Sequence, residues 1–312
     1  MSNLRSPRRL SLALMPAIGI ALASSTGWLT PAAAQAPEAG MPAPDEPVEL
    51  VEENLEDAAA APLGRQNNAA AWQPPVLNWQ PASGSWEPQP SRREDYGKIK
   101  VVWLQGTPYE MGRQHGELLH DEIAAVGADV ITALNFFGRA LGLGRLSRRR
   151  SFPGVYDECR GLADATADIG MTVDGCMVFA LGDVYQEYFS YLLPNILFND
   201  GCAHFIAAGN ATSDGRFYHG WTLDNHGGPL PYWSENPTVL VRQPDNGIPH
   251  ISITVPGAVW PNAGFNAEGI IVSNNTSHPE DYRDLDLYGK STVQLMSQVA
   301  QYASSYDEAH EI

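Results

Sequence analysis

Apolar and polar positions recur along the chain with two periods, and each clearly periodic stretch predicts an element. Lys98 to Gln105, KIKVVWLQ, reads as a strand. Gly106-Thr107-Pro108 then opens a helix. Thr107 suits the N-cap, Pro108 suits the first helical position, and Glu110 three residues after the cap completes a capping box. Beyond it Leu118, Leu119, Ile123, Val126, Val130, Ile131 and Leu134 recur at helical spacing. Gly112 and Gly116 stand one turn apart, which lets a second backbone approach closely. Thr172 to Leu193 predicts another helix. After Cys202 the pattern changes to short β-rich runs separated by Ser213-Asp214-Gly215, Pro244-Asp245-Asn246-Gly247 and Gly257, and a helix resumes from about Thr292. Helices first, then antiparallel strands, then a helix is the order of an α+β fold.

The N-terminal third has a different texture. Residues 1–34 carry Arg5, Arg8 and Arg9 ahead of an apolar run, with Ala32 to Ala34 before Gln35, the layout of a secretory signal peptide. Pro16, Gly19 and the polar Ser24 to Gly27 stretch interrupt what a membrane span would need, and Arg8-Arg9 suits a twin-arginine route. From Gln35 to Tyr96 lie 10 of the 24 prolines, with 11 acidic against 3 basic residues, so 35–96 reads as a disordered acidic linker. Its Trp72, Trp79 and Trp86 either dock on the following domain or stay linker residues. The folded domain is expected over 97–312, with no internal repeat. It ends at YDEAHEI inside a helix still in progress, which reads either as a truncated chain or as an unusual C-terminus. A formal charge of −17 leaves nucleic acid a poor partner, because phosphate contacts need clustered basic surface and only short runs such as Arg148 to Arg150 are available.

Cys202 is the first candidate for chemistry. It follows the turn-forming Asn199-Asp200-Gly201 and precedes the apparent strand AHFIAA. Glycine before cysteine leaves the residue 201 carbonyl unshielded. The thiol can attack it, shift the backbone to a thioester and, after water enters, leave a new N-terminal cysteine. The α-amino group of such a residue can take the thiol proton near neutral pH. A buried structural cysteine is the competing reading. Asp214-Gly215 signals a hairpin between AHFIAAGNA and RFYHGWTLD. If residue 213 faces 216, Asp224 lies opposite Phe205, near the start of the nucleophile's strand. There it either orients the nucleophile or caps the loop Asn225-His226-Gly227-Gly228. Gly264 to Asn275 is a turn feeding an apolar strand that ends in two amides, and such an amide can donate to a developing oxyanion.

Five segments carry a resemblance: Gly106-Thr-Pro-Tyr-Glu-Met-Gly-Arg-Gln-His-Gly116, Asp200-Gly201-Cys202, Asn210-Ala-Thr-Ser-Asp-Gly-Arg216, Gly220-Trp-Thr-Leu-Asp224 and Gly264-Phe-Asn-Ala-Glu-Gly269. In this order they resemble the acyl-coenzyme A:6-aminopenicillanic acid acyltransferase-like family of autoproteolytic N-terminal-nucleophile (Ntn) cysteine hydrolases. More distantly they are similar to bile-salt and other linear amide hydrolases. The resemblance implies a four-layer αββα fold, self-cleavage between Gly201 and Cys202, and division of the domain into 97–201 and 202–312. It implies acyl transfer from an amide or thioester through an acyl-Cys202, with Asp224 orienting the nucleophile. Asn275 is the implied oxyanion donor and Asn274 the nearby alternative. Two departures stand out. Gly220-Trp221-Thr222 replaces a Gly-Arg-Asn run frequent in relatives, and the family continues past this endpoint with further strands and helices.

Other candidates weigh less. His115 and His120 are five apart, one more than a zinc-binding HExxH, so no metal and no other cofactor is expected. His204, His219 and His226 flank Cys202 and permit a papain-like Cys-His dyad, with no one of them marked by spacing. Cys159 and Cys176 either pair in an oxidising compartment or remain buried thiols. The expectation is an exported, periplasmic or secreted amidase or acyltransferase acting on a small acylated amide, without a stable membrane span. A catalytically silent envelope binding protein is the alternative.

Overall fold

The computed structural model describes residues 73–84, 86–185, 199–226, 230–275 and 290–312. The expected signal peptide, the linker up to Trp72 and the last part of the helix expected to Leu193 lie outside the described residues.

The capping box fixes the first helix as the sequence predicts. Strand β2 (Ile99–Gly106) runs into α1 (Pro108–Leu118), where the Thr107 side chain accepts from the Glu110 N–H and Glu110 accepts from the Thr107 N–H. Strand β1 (Arg92–Tyr96) precedes β2 and pairs with it antiparallel, from Arg92↔Trp103 to Tyr96↔Ile99. Regular structure is therefore present before residue 97, inside the stretch that composition reads as linker. The cause is local. Gly97 at φ 64° closes a two-residue turn, the Arg92 guanidinium lies 3.8 Å over the Trp103 ring, and Arg93 pairs with Glu122 at 2.6 Å. Further upstream, polar side chains take up the backbone of the proline-rich segment. Asn246 Oδ1 accepts from Leu77 N–H at 2.6 Å, and Gln243 Oε1 accepts from Gln89 N–H at 2.6 Å. Trp79 donates to Glu268 and meets Trp86 edge to face at 5.7 Å, so these two tryptophans are docked.

Helices α2 (His120–Ala125), α3 (Ala128–Arg139), α4 (Leu143–Arg150), α5 (Pro153–Ala165) and α6 (Val173–Phe179) follow. The helix expected from Thr172 breaks after Phe179 and resumes at 182–185. α1 and α5 pack closely enough that a Cβ on Gly112 would lie 2.0 Å from the Glu158 carbonyl oxygen. Cys159 of α5 and Cys176 of α6 form a disulfide with Cα atoms 5.5 Å apart, which closes a loop whose entropic constraint is worth about 3 kcal/mol.

The main sheet has six strands in the order β1-β2-β5-β6-β7-β8, with β5 (Thr238–Pro244), β6 (His250–Thr254), β7 (Ala263–Asn266) and β8 (Ile271–Ser273). Its described pairs are antiparallel except β2 with β5, which is parallel. Alternation assigns the faces. Val102, Leu104, Leu240 and Arg242 are buried, as are Met111 and Leu162 of the helices and Leu119 between α1 and α2, whereas Ile253, Phe265 and Ile271 on the other face stay exposed. A short α7 (Leu230–Glu235) leads into β5, and α8 (Thr292–Tyr302) and α9 (Tyr306–Glu311) come last. The remaining strands, β3 (Asn199–Gly209) and β4 (Gly215–His226), form a separate two-stranded antiparallel sheet. The molecule is α+β, with a mixed sheet and helices.

Candidate functional site

The hairpin of β3 and β4 carries Cys202, and its register decides what surrounds the thiol. Thr212 Oγ donates to the carbonyls of Gly209 and Arg216, which holds residues 210–214 as a five-residue loop. Gly209 therefore faces Gly215, Phe205 faces Gly220, Cys202 faces Leu223 and Gly201 faces Asp224. This corrects the expected pairing of Phe205 with Asp224, which assumed a tight turn at 214–215. The Asp224 backbone sits directly opposite the Gly201-Cys202 bond; its side chain lies outside the described residues.

With period-2 alternation, Cys202, His204 and Ile206 share one face of the hairpin with Leu223, Trp221 and His219. That face meets the end of β8. Trp221 Nε1–H donates to the Asn274 carbonyl at 2.8 Å, and His204 Nε2 lies 3.4 Å from the same oxygen. Asn274 is fixed by its own N–H, which donates to the Asn262 carbonyl at 2.9 Å. Asn275 is exposed one residue further on. Cys202 is a half-buried free cysteine. Gly201, Cys202 and the Asp224 backbone thus meet at one end of the hairpin, and the Asn274-Asn275 strand end reaches the hairpin face that carries the thiol.

Sequence reasoning missed the way the histidines on that face associate. Ser273 Oγ lies 3.1 Å from His204 Nδ1 and 3.3 Å from His219 Nε2, and the two ring nitrogens are 3.4 Å apart. The rings stack with centroids 5.5 Å apart. Alternation from Cys202 places His204 on its face, but bringing His219 beside it requires the true register. Ser273 has no mark in the sequence beyond its place before Asn274. Both ring nitrogens of His204 have contacts, Nδ1 with Ser273 and His219 and Nε2 with the Asn274 carbonyl. The side chain of His226 is outside the described residues.

Two further histidines have structural roles. His115 is fully buried and its Nε2 accepts from the Gly257 N–H at 2.9 Å, while His120 contacts the Asp168 carboxylate at 2.9 Å. Among the described residues no three His, Cys, Asp or Glu side chains converge as metal ligands, and no helix is long and apolar enough to cross a membrane.

No family model matches the chain. It is similar to an uncharacterized protein of Archaeoglobus fulgidus, 28% identical over 240 residues, which covers 69% of this chain and 39% of that protein. The chain thus spans about two-fifths of that relative's length.

Proposed function

We propose that this chain is an exported Ntn-type cysteine amidohydrolase or acyltransferase that cleaves itself between Gly201 and Cys202 and acts on a small acylated amide or thioester. The observation that carries the reading is the hairpin register, which sets a free thiol, an adjacent glycine carbonyl and the Asp224 backbone at one point. The separate β3–β4 sheet beside a six-stranded, helix-covered sheet fits the four-layer αββα plan. The Cys159–Cys176 disulfide fits an oxidising destination and leaves Cys202 as the reactive thiol.

In this reading the Cys202 Sγ adds to the Gly201 carbonyl carbon and the peptide C–N bond breaks. The nitrogen takes a proton and becomes the α-amino group of Cys202. Water then hydrolyses the thioester, leaving the Gly201 carboxylate and a free thiol. In turnover the amine takes the thiol proton, the thiolate attacks the substrate carbonyl, and the tetrahedral oxyanion accepts from the amide of Asn275 or its neighbour Asn274. Donors of this kind are worth about 2.7–4 kcal/mol in the transition state. The leaving amine departs with a proton, and the acyl-Cys202 passes to water or to a second amine.

Intact-mass spectrometry of the purified chain beside Cys202→Ala tests the proposal. Two fragments meeting at 201/202 in the parent and a single uncut chain in the variant are the expected result. A single uncut chain in both samples sinks it.

A further inference from the structure

The geometry points to a divalent-cation site at the junction of the two sheets, with His204 Nδ1, His219 Nε2 and Ser273 Oγ as its three protein donors and a borderline cation of the zinc type as its occupant. The three atoms form a nearly equilateral triangle with edges of 3.1, 3.3 and 3.4 Å. A tetrahedral ion with bonds of about 2.0–2.1 Å places its ligands about 3.3 Å apart, so the triangle has the dimensions of one face of such a site. The two imidazole nitrogens favour zinc-like ions over calcium or magnesium, which take oxygen alone, and the Ser273 hydroxyl is the weaker third donor.

A second observation concerns the tautomer. A histidine that ligates through Nδ1 must carry its proton on Nε2, and ligating histidines usually donate that other N–H to a carbonyl or carboxylate. His204 Nε2 lies 3.4 Å from the Asn274 carbonyl, which Trp221 also holds from the other side. The contact leaves the Nδ1 lone pair free to face the triangle. Access is open, since His204 is exposed while His219 and Ser273 are half-buried. With three donors among the described residues, the fourth position is open to water or a substrate atom. The ligands come from β3, β4 and β8, so a bound cation would clamp the hairpin onto the main sheet, with Cys202 two residues, about 6.7 Å, along the strand from His204.

The site does not depend on the acyl chemistry proposed above, and its test reads binding rather than turnover. The full chain, stripped with a chelator, is titrated with Zn²⁺ by calorimetry and with Co²⁺ by absorption. One ion per chain is expected, with intense tetrahedral cobalt bands and no thiolate-to-cobalt charge transfer, unchanged in Cys202→Ala and in the surface control His310→Ala. His204→Ala and His219→Ala should each weaken binding about 100-fold while circular dichroism stays that of the parent. Should those variants fail to fold, Ser273→Cys gives an independent answer: it should tighten cobalt binding and introduce the charge-transfer band. Absence of uptake, uptake that survives loss of both histidines, or a thiolate band in the parent that disappears in Cys202→Ala would each overturn the assignment.

Discussion

Arg242 and Glu158 form a bidentate pair, Nη1 to Oε1 at 2.8 Å and Nη2 to Oε2 at 2.6 Å, with side chains 7% and 5% exposed. The two planar groups satisfy each other where water cannot, and the pair ties β5 to α5. Its net contribution against an apolar pair is small, but removing one partner leaves a buried charge unmatched. Glu158→Gln is therefore expected to lower stability by about 3–5 kcal/mol, measured as the urea unfolding midpoint and slope. A joint replacement by apolar residues of similar volume should cost much less. Single residues differ in how readable they are. Thr107 and Glu110 were legible as a capping box because every partner lies within four positions. Ser273 was not, because its partners are 54 and 69 positions away.

At the scale of elements, the α1–α5 contact rests on missing side chains. A Cβ on Gly161 would lie 2.0 Å from the Tyr109 carbonyl oxygen and 2.6 Å from the Arg113 nitrogen, both backbone atoms with little freedom to move. Gly161→Ala should push the helices apart and cost about 1–3 kcal/mol, while Gly154→Ala, whose Cβ finds its nearest neighbour at 3.5 Å, should stay within a few tenths. Thermal unfolding of the two variants side by side separates packing from helix propensity. The sequence exposed one half of this contact through the spacing of Gly112 and Gly116, but not which helix supplies the other. The hairpin shows the same division. Asp214-Gly215 marked its place, yet the bonds from Thr212 lengthen the loop and shift the facing pairs from Asn199↔His226 to Ala207↔Tyr218 by four in the sum of residue numbers. β1 was hidden because its proline-rich surroundings set the average composition, while the turn at Gly97 and the Arg92 and Arg93 contacts are specific to five residues.

For the molecule as a whole, two buried histidines set the response to acid. Burial, reinforced by the Arg242 charge, pushes both His115 and His250 down to about 3. An unfolded histidine titrates at about 6.5, so between these values the unfolded chain takes up protons that the folded chain refuses. Stability is then full above pH of about 6.5 and falls with pH, by about 1.4 kcal/mol per unit for each histidine. His120 works in the opposite sense: its hydrogen bond to Asp168 raises its pKa, so its contribution is present below about 6.5 and fades as the pH rises past the raised value. That pair is exposed and screened, so the buried pair dominates. Urea midpoints at pH 7 and pH 5 should show the loss, and His250→Gln should flatten the slope by about half.

The parallel seam between β2 and β5 has a mechanical consequence. β2 belongs to the part of the chain before the helices and β5 to the part after the hairpin, yet they lie side by side from Lys100↔Thr238 to Gly106↔Pro244. The disulfide falls wholly on the earlier part. A single nick between Gly201 and Cys202 would produce two polypeptides with no covalent link, each contributing strands to one sheet and joined along the β2–β5 seam. Such a molecule should migrate as one body under native conditions and as two only when denatured.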